Sequence, residues 1–211
     1  VQATASAGIK EQEGTRTTSS ISPSLTRDTR DNFLDPHTGS QNGVYLTYAG
    51  IGGSNKFFKS IAESIWYFPV SEMTTFSVRG NYGYAVGLYG EKLPLYERFY
   101  VGGMYSLRGL GFGEAGPKDE NGVVTGGTKK VIFNAEYTFP LIPAARLKGV
   151  MFYDLGTSYD DNSDIRFRKT AGCGIRWISP IGPLRLEWGR NLDRRPGETE
   201  GRWEFTFGTF F

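Results

Sequence analysis

The sequence predicts an all-β protein, an antiparallel transmembrane β-barrel of which about ten strands are visible, on three observations. No stretch keeps the apolar spacing of an amphipathic helix. Successive segments alternate apolar and polar residues, and the polar side carries mid-strand charges at Arg79, Glu136, Asp154, Arg176, Arg185, Glu187 and Glu204. That pattern suits strands with one lipid-facing side and one side facing a wet lumen. The connections also alternate. Residues 69–73, 140–145 and 179–183 are short links, whereas 87–128, 160–168 and 191–201 are longer or more polar, the layout of short turns at one end of an outer-membrane barrel and long loops at the other. A soluble sandwich is the competing architecture, and the averages alone do not separate the two.

Those averages are 29 glycines, 15% aromatic residues and a mean hydropathy of -0.37 over 211 residues. No apolar run reaches the roughly 18 residues of a membrane helix. A net charge of +2 is too small to indicate nucleic acid as a partner. Cys173 is alone, so no intrachain disulfide exists. The chain starts at Val1 without a Met or a signal peptide, and it is expected to be a processed product or a piece of something longer.

Taken in order, the first strand, 2–10, is weak, with small residues alternating with polar ones. The second, 17–27, contains Pro23, which favours an edge or a bulge. A charged connection follows at 27–39, in which His37, the only histidine, reads as a solvated turn residue. The third strand, 43–50, puts Val44, Leu46 and Tyr48 on one face, and the fourth, 56–68, puts Phe58, Ala62, Trp66 and Phe68 together. The fifth, 74–86, sets Phe76, Val78, Tyr82 and Tyr84 against Ser77, Arg79 and Asn81. The sixth, 130–139, is expected to end at Pro140, and the seventh covers 147–159. The eighth, 170–178, turns tightly through 179–183 into a ninth, where Leu184, Leu186 and Trp188 alternate with Arg185 and Glu187. The last, 202–211, places Trp203, Phe205, Phe207 and Phe211 on one face. Aromatic clusters at Trp66-Tyr67-Phe68, Tyr82 with Tyr84, and Phe210-Phe211 suit interface girdles.

The long gap at 87–128 holds a glycine-rich run, 102–112, with Arg108 at its centre. Loops of that length are uncommon unless functional or disordered. Leu93, Tyr96, Phe99, Tyr100, Met104, Leu107, Leu110 and Phe112 give this one apolar side chains to pack against the body. Gly109-Leu110-Gly111-Phe112-Gly113 is not a nucleotide-binding turn, because the glycines and Pro117 that follow it exclude the helix such a site needs.

Gly102-Gly103, Leu107-Arg108-Gly109-Leu110, Phe152-Tyr153-Asp154-Leu155-Gly156, the run from Gly174-Ile175-Arg176-Trp177 to Pro183-Leu184, and a terminal strand ending in Phe211 occur in order through nearly the whole chain. In these motifs the sequence resembles the BamA family of outer-membrane assembly factors, and the charged turn at 27–39 resembles a further family element. The resemblance implies a sixteen-stranded barrel behind periplasmic POTRA domains, in the outer membrane of a Gram-negative bacterium. Residues 1–211 then correspond to the C-terminal portion of the barrel domain, with 87–128 the family's sixth external loop, folding into the lumen. The chain departs from the family in carrying Leu107 and Leu110 where Val and an aromatic are usual. It also shows ten strands rather than sixteen. Ten is even, which permits closure as a short barrel, but the weak first strand makes a poor closing partner, so a fragment is expected.

By resemblance, Arg108 pairs with Asp154. Independently, Phe152 and Asp154 share parity, and an arginine on an inserted loop needs a carboxylate when desolvated; Glu136 and Glu187 are rival partners. A solvated loop charge is the bland reading of Arg108. Leu107, Gly109, Leu110, Phe152 and Gly156 are expected to pack loop against lumen. The last strand, with Arg202, Trp203, Phe205, Phe207, Gly208 and Phe211, is expected to border a weak seam where client strands add by main-chain hydrogen bonds. Expected partners are the lipid bilayer, unfolded outer-membrane client proteins and periplasmic assembly-machinery subunits reached through the missing domains. Neither a cofactor nor nucleic acid is expected. The alternative is a passive pore, or a two-partner-secretion translocator of the same superfamily. Catalysis is not expected, because no nucleophile and base accompany the carboxylates.

Overall fold

The structure, a computed structural model, describes residues 16–161, 165–180 and 182–207. Its strands are β1 (Thr18–Ile21), β2 (Ser24–Asp28), β3 (Gly39–Gly53), β4 (Phe57–Ser71), β5 (Thr74–Gly87), β6 (Lys129–Ile142), β7 (Leu147–Tyr159), β8 (Arg168–Ser179), β9 (Gly182–Asn191) and β10 (Gly201–Phe207). All belong to one antiparallel sheet in which β3 to β10 follow in chain order. β1 and β2 both pair with β3, so the segment expected as one strand is interrupted at Ser22-Pro23, where proline cannot donate to the ladder. The expected strand at 2–10 lies outside the described residues, as do Gly208, Phe210 and Phe211.

Pro140 does not end β6. It pairs with Lys148, and the register shifts only between Pro140 and Ile142, a bulge that accommodates the missing N–H at the strand end. A short 3-10 turn, Pro143–Ala145, then reverses the chain, with Arg146 at φ 52° closing it.

The sheet has two unlike faces, as the period of two requires. One is bare and aromatic: Trp66, Phe68, Phe76, Tyr82, Phe133, Met151, Trp177, Trp203 and Phe205 are exposed there. The other is covered by the loop at 88–128. At its root Leu93 and Phe99 bury against Ala49, Phe57 and Ala85, and further on Val101, Leu107, Leu110 and Ala115 bury against Ile132. Tyr96 and Phe112, expected to pack inward, are exposed. Phe112 stacks on Tyr100 at 4.9 Å, and the Tyr96 hydroxyl accepts from Nδ2 of the buried Asn55 at 2.5 Å.

At the other end of the same face the connection after β2 folds back across the sheet. Asp35 pairs with Lys148 of β7 at 2.5 Å. His37 is half-buried, not solvated, because its Nδ1 sits 2.6 Å from Thr75 Oγ1. Asp31 holds the turn by accepting from the backbone N–H groups of His37 and Thr38. Among the described residues the outer edge of β10 carries no pairing, and β1 with β2 forms the opposite edge.

Candidate functional site

The tip of the loop is a tight turn. Ser106 N–H donates to Gly103 O and Gly103 N–H to Leu107 O, both at 3.0 Å, while Ser106 Oγ accepts from Gly102 N–H. Gly109 follows at φ +88°, and a Cβ there would lie 2.5 Å from the Gly189 backbone of β9. Glycine facing glycine is what allows the loop backbone to reach the sheet directly. Leu107 takes its room from Gly156, where any Cβ would come within 2.8 Å of Leu107 Cδ1.

This approach drives Arg108 into the sheet, leaving it 2% exposed. Its guanidinium lies over the Phe152 ring, 3.6 Å from the centroid. Its Nε and Nη2 donate to Asp154 at 2.8 and 2.5 Å, and its backbone N–H also donates to Asp154, at 3.0 Å. Asn134 Nδ2 supplies a fourth donor at 2.8 Å, so the roughly four lone-pair positions of this fully buried carboxylate are all used. Nη1 of Arg108 meets Glu136 at 2.5 Å and Glu187 at 2.9 Å. The sequence left three carboxylates competing for Arg108, and the structure brings all three to it.

Two further arginines complete the cluster. Arg176 of β8 donates to both oxygens of Glu136 and to Glu187, and Arg185 of β9 donates to both oxygens of Glu187. Three guanidiniums thus neutralise three carboxylates in a buried cluster. The loop covers these charges, leaving Arg108, Glu136, Asp154 and Glu187 buried. Arg79 lies nearer the flank and pairs with Glu63 at 2.5 Å.

Glu204 was legible only as a mid-strand charge, yet it accepts from the Gly109 N–H at 3.0 Å. The loop tip is thereby tied to β10. Arg202 is on the same face, close enough to Gly111 that a side chain there would strike its Nη1. Trp203, Phe205 and Phe207 point to the bare face and touch none of the cluster. The signal for Glu204, Arg176 and Arg185 was their parity, shared with Asp154 across the register. Among the described residues no group of three or more His, Cys, Asp or Glu is placed to hold a metal ion.

A second, smaller ion pair lies at the strand ends on the loop side. Arg168 at the start of β8 grips Glu198 with Nη1 and Nη2 at 2.9 and 2.5 Å, and Asn191 and the Arg195 N–H also donate to Glu198. Burial works to raise the Glu198 carboxyl, but the Arg168 guanidinium, the Arg195 N–H and the Asn191 amide outweigh it and bring it down to about 2.

An Omp85 superfamily domain model matches residues 2–211. The chain belongs to the Omp85 superfamily. Within it, the chain is 35% identical to the outer membrane protein assembly factor BamA of Nitratidesulfovibrio vulgaris, over 96% of this chain and 27% of that protein. It is 31% identical to BamA of Neisseria meningitidis, over 88% of this chain and 28% of that protein. The fold matches the crystal structure of BamA from Haemophilus ducreyi lacking POTRA domains 1-3, with a TM-score of 0.80 at 23% identity, over 90% of this chain and 42% of that one. This Omp85 chain therefore spans little more than a quarter of the curated relatives it matches. It is an outer-membrane β-barrel protein of the BamA type.

Two outcomes are expected. Arg108→Ala leaves Asp154, Glu136 and Glu187 under-compensated in a buried site, and urea unfolding of the lipid-embedded protein should show a loss of about 3–5 kcal/mol. Arg108→Lys should recover little of it, since an ammonium cannot supply the fork. For Glu198 the carboxylate is held below its usual value of 4.5. Its contribution is therefore complete above about 4.5 and is lost as pH falls towards about 2. The Arg195 amide resonance should titrate near the lower value, and in Glu198→Gln that titration should vanish.

Proposed function

We propose that this chain is the C-terminal portion of the barrel of an outer-membrane protein assembly factor, and that it templates client strands at a weak seam bordered by β10. Relatives named as such factors support the general role. The observation that carries the mechanism is the meeting, at one loop tip, of a rigid anchor and an edge strand. Arg108 is fixed to β6, β7 and β9 through Glu136, Asp154 and Glu187, while the next residue bonds Glu204 of β10. The loop, folded into the lumen from the outside, braces the wall and sets the position of the strand at the seam.

An unpaired strand edge is a template for another strand. A client strand adding there gains main-chain hydrogen bonds, and lipid makes those bonds obligatory, since its backbone groups find no water. The step needs no nucleotide, metal or catalytic residue. The buried carboxylates act as counter-ions to arginine. The partners are the bilayer on the aromatic face, unfolded outer-membrane clients at the seam, and periplasmic subunits reached through domains outside this portion.

The test is cross-linking during client assembly in vesicles, using the full-length protein in a Cys173→Ser background. Phe205→Cys in β10 should capture a cysteine on an entering client strand, whereas Met151→Cys, inside the sheet on β7, should not. Equal capture at both positions, or at neither, contradicts seam templating.

A further inference from the structure

Among the described residues β10 has only β9 beside it, and its other edge is open to a further strand. The side chains along that edge are ordered by charge. On the loop side β10 shows Arg202, then Glu204, then Thr206, and on the bare side Trp203, Phe205 and Phe207. Arg202 and Glu204 stand two residues apart on one face, about 7 Å along the strand. A cation and an anion at that spacing can be read by a strand that pairs with the edge, because directly opposed side chains attract or repel.

The pairing with β9 decides what each charge favours on its free side. Glu204 lies opposite Glu187, and Arg202 lies opposite Gly189. Arg108, Arg176 and Arg185 form their ion pairs with Glu187, whereas Glu204 is held through Oε1 by the Gly109 N–H, and its Oε2 accepts from no described residue. A carboxylate on one side of Glu204 makes a cation the favoured neighbour on the other. Arg202 is exposed and faces only a glycine on β9, so an acidic residue is favoured beside it. The outer row adds a third demand. Trp203 lies opposite Trp188 and Phe205 opposite Leu186, so the position between the two charges meets lipid and takes an apolar residue.

We propose that Arg202 and Glu204 select the entering strand by charge, favouring client strands that carry, in their own N-to-C direction, a basic, an apolar and an acidic residue in succession. The order follows from antiparallel pairing, the rule throughout this sheet. The basic residue sits opposite Glu204, the apolar one opposite Trp203 and the acidic one opposite Arg202. In the reverse order a cation meets Arg202, and an acid meets Glu204 with Glu187 beyond it, so both opposed pairs repel. This selection rests on the seam templating proposed above and adds to it a choice among strands. Main-chain hydrogen bonds accept any sequence, but the two charges do not. Glu204 thus has one oxygen on the loop tip and the other directed to the client.

The experiment offers short synthetic strands of alternating apolar and polar residues to the full-length protein, carrying Cys173→Ser and Phe205→Cys, in phosphatidylcholine vesicles. Each strand has one cysteine directly before the charged triplet, which places it opposite position 205 in the antiparallel register. At equal concentration the strand with Cys-Lys-Leu-Glu should cross-link about fivefold more than the strand with Cys-Glu-Leu-Lys. In Arg202→Glu the last position changes sign, and Cys-Lys-Leu-Lys should overtake Cys-Lys-Leu-Glu. Arg202→Gln, a milder change, should bring those two level. Equal capture of the first two strands, a preference for the reversed order, or a ranking unchanged in both Arg202 variants overturns the proposal and leaves seam templating standing. Capture no greater at position 205 than with Met151→Cys contradicts seam templating itself, and the proposal with it. Heat-dependent gel mobility of the same samples verifies that each protein is folded.

Discussion

Three arginines and three carboxylates lie in the buried space between a loop and a sheet, and neither surface can be left without the other. The sheet supplies Glu136, Asp154 and Glu187 on one face, with Arg176 and Arg185 beside them. Without Arg108 these five groups carry an excess negative charge, and they would need water. With Arg108 the charges balance, and the loop can seal them off. Much of the remaining architecture follows from that balance: the glycine pair at Gly109 and Gly189 that permits backbone contact, the cavity beside Gly156 for Leu107, and the aromatic floor of Phe152. A buried network of this kind need not add net stability over an apolar core, but removing one member is costly. It therefore selects one loop position over many.

The strand pattern was largely legible because a period of two is local, and one face here is apolar across the seven consecutive pairings from β3 to β10. β7 was bounded as it stands, and β5, β6, β8 and β9 were placed within a few residues of their limits. What failed was tertiary. Pro140 was a stop signal that the strand absorbed as a bulge, and His37 became half-buried only because the connection before β3 folds back onto Thr75. The Arg108 neighbourhood was partly legible, since three acidic positions shared a face. The sequence could not say that all three would be reached, because that depends on how far the loop descends.

Glu204 shows the same limit from the other side. As a mid-strand charge it was plain. As the acceptor for the Gly109 N–H it depends on β10 lying beside β9 in the observed register, with Glu204 opposite Glu187. That pairing puts two carboxylates side by side on one face, an arrangement tolerable only with cations and N–H donors directed at them. The loop tip provides both. The edge strand is consequently joined to the interior charge cluster through a single residue step, from Arg108 to Gly109.

The central claim is that the loop is locked to the sheet as firmly as the strands are to each other. Amide hydrogen exchange of the full-length protein in lipid tests it most directly. The Arg108 N–H, bonded to Asp154, and the Gly109 N–H, bonded to Glu204, should exchange as slowly as amides in the middle of β6 and β7. Exchange at the rate of the exposed segment around Gly122 would contradict the claim, and the loop would then be a mobile cover over a cluster that holds itself together.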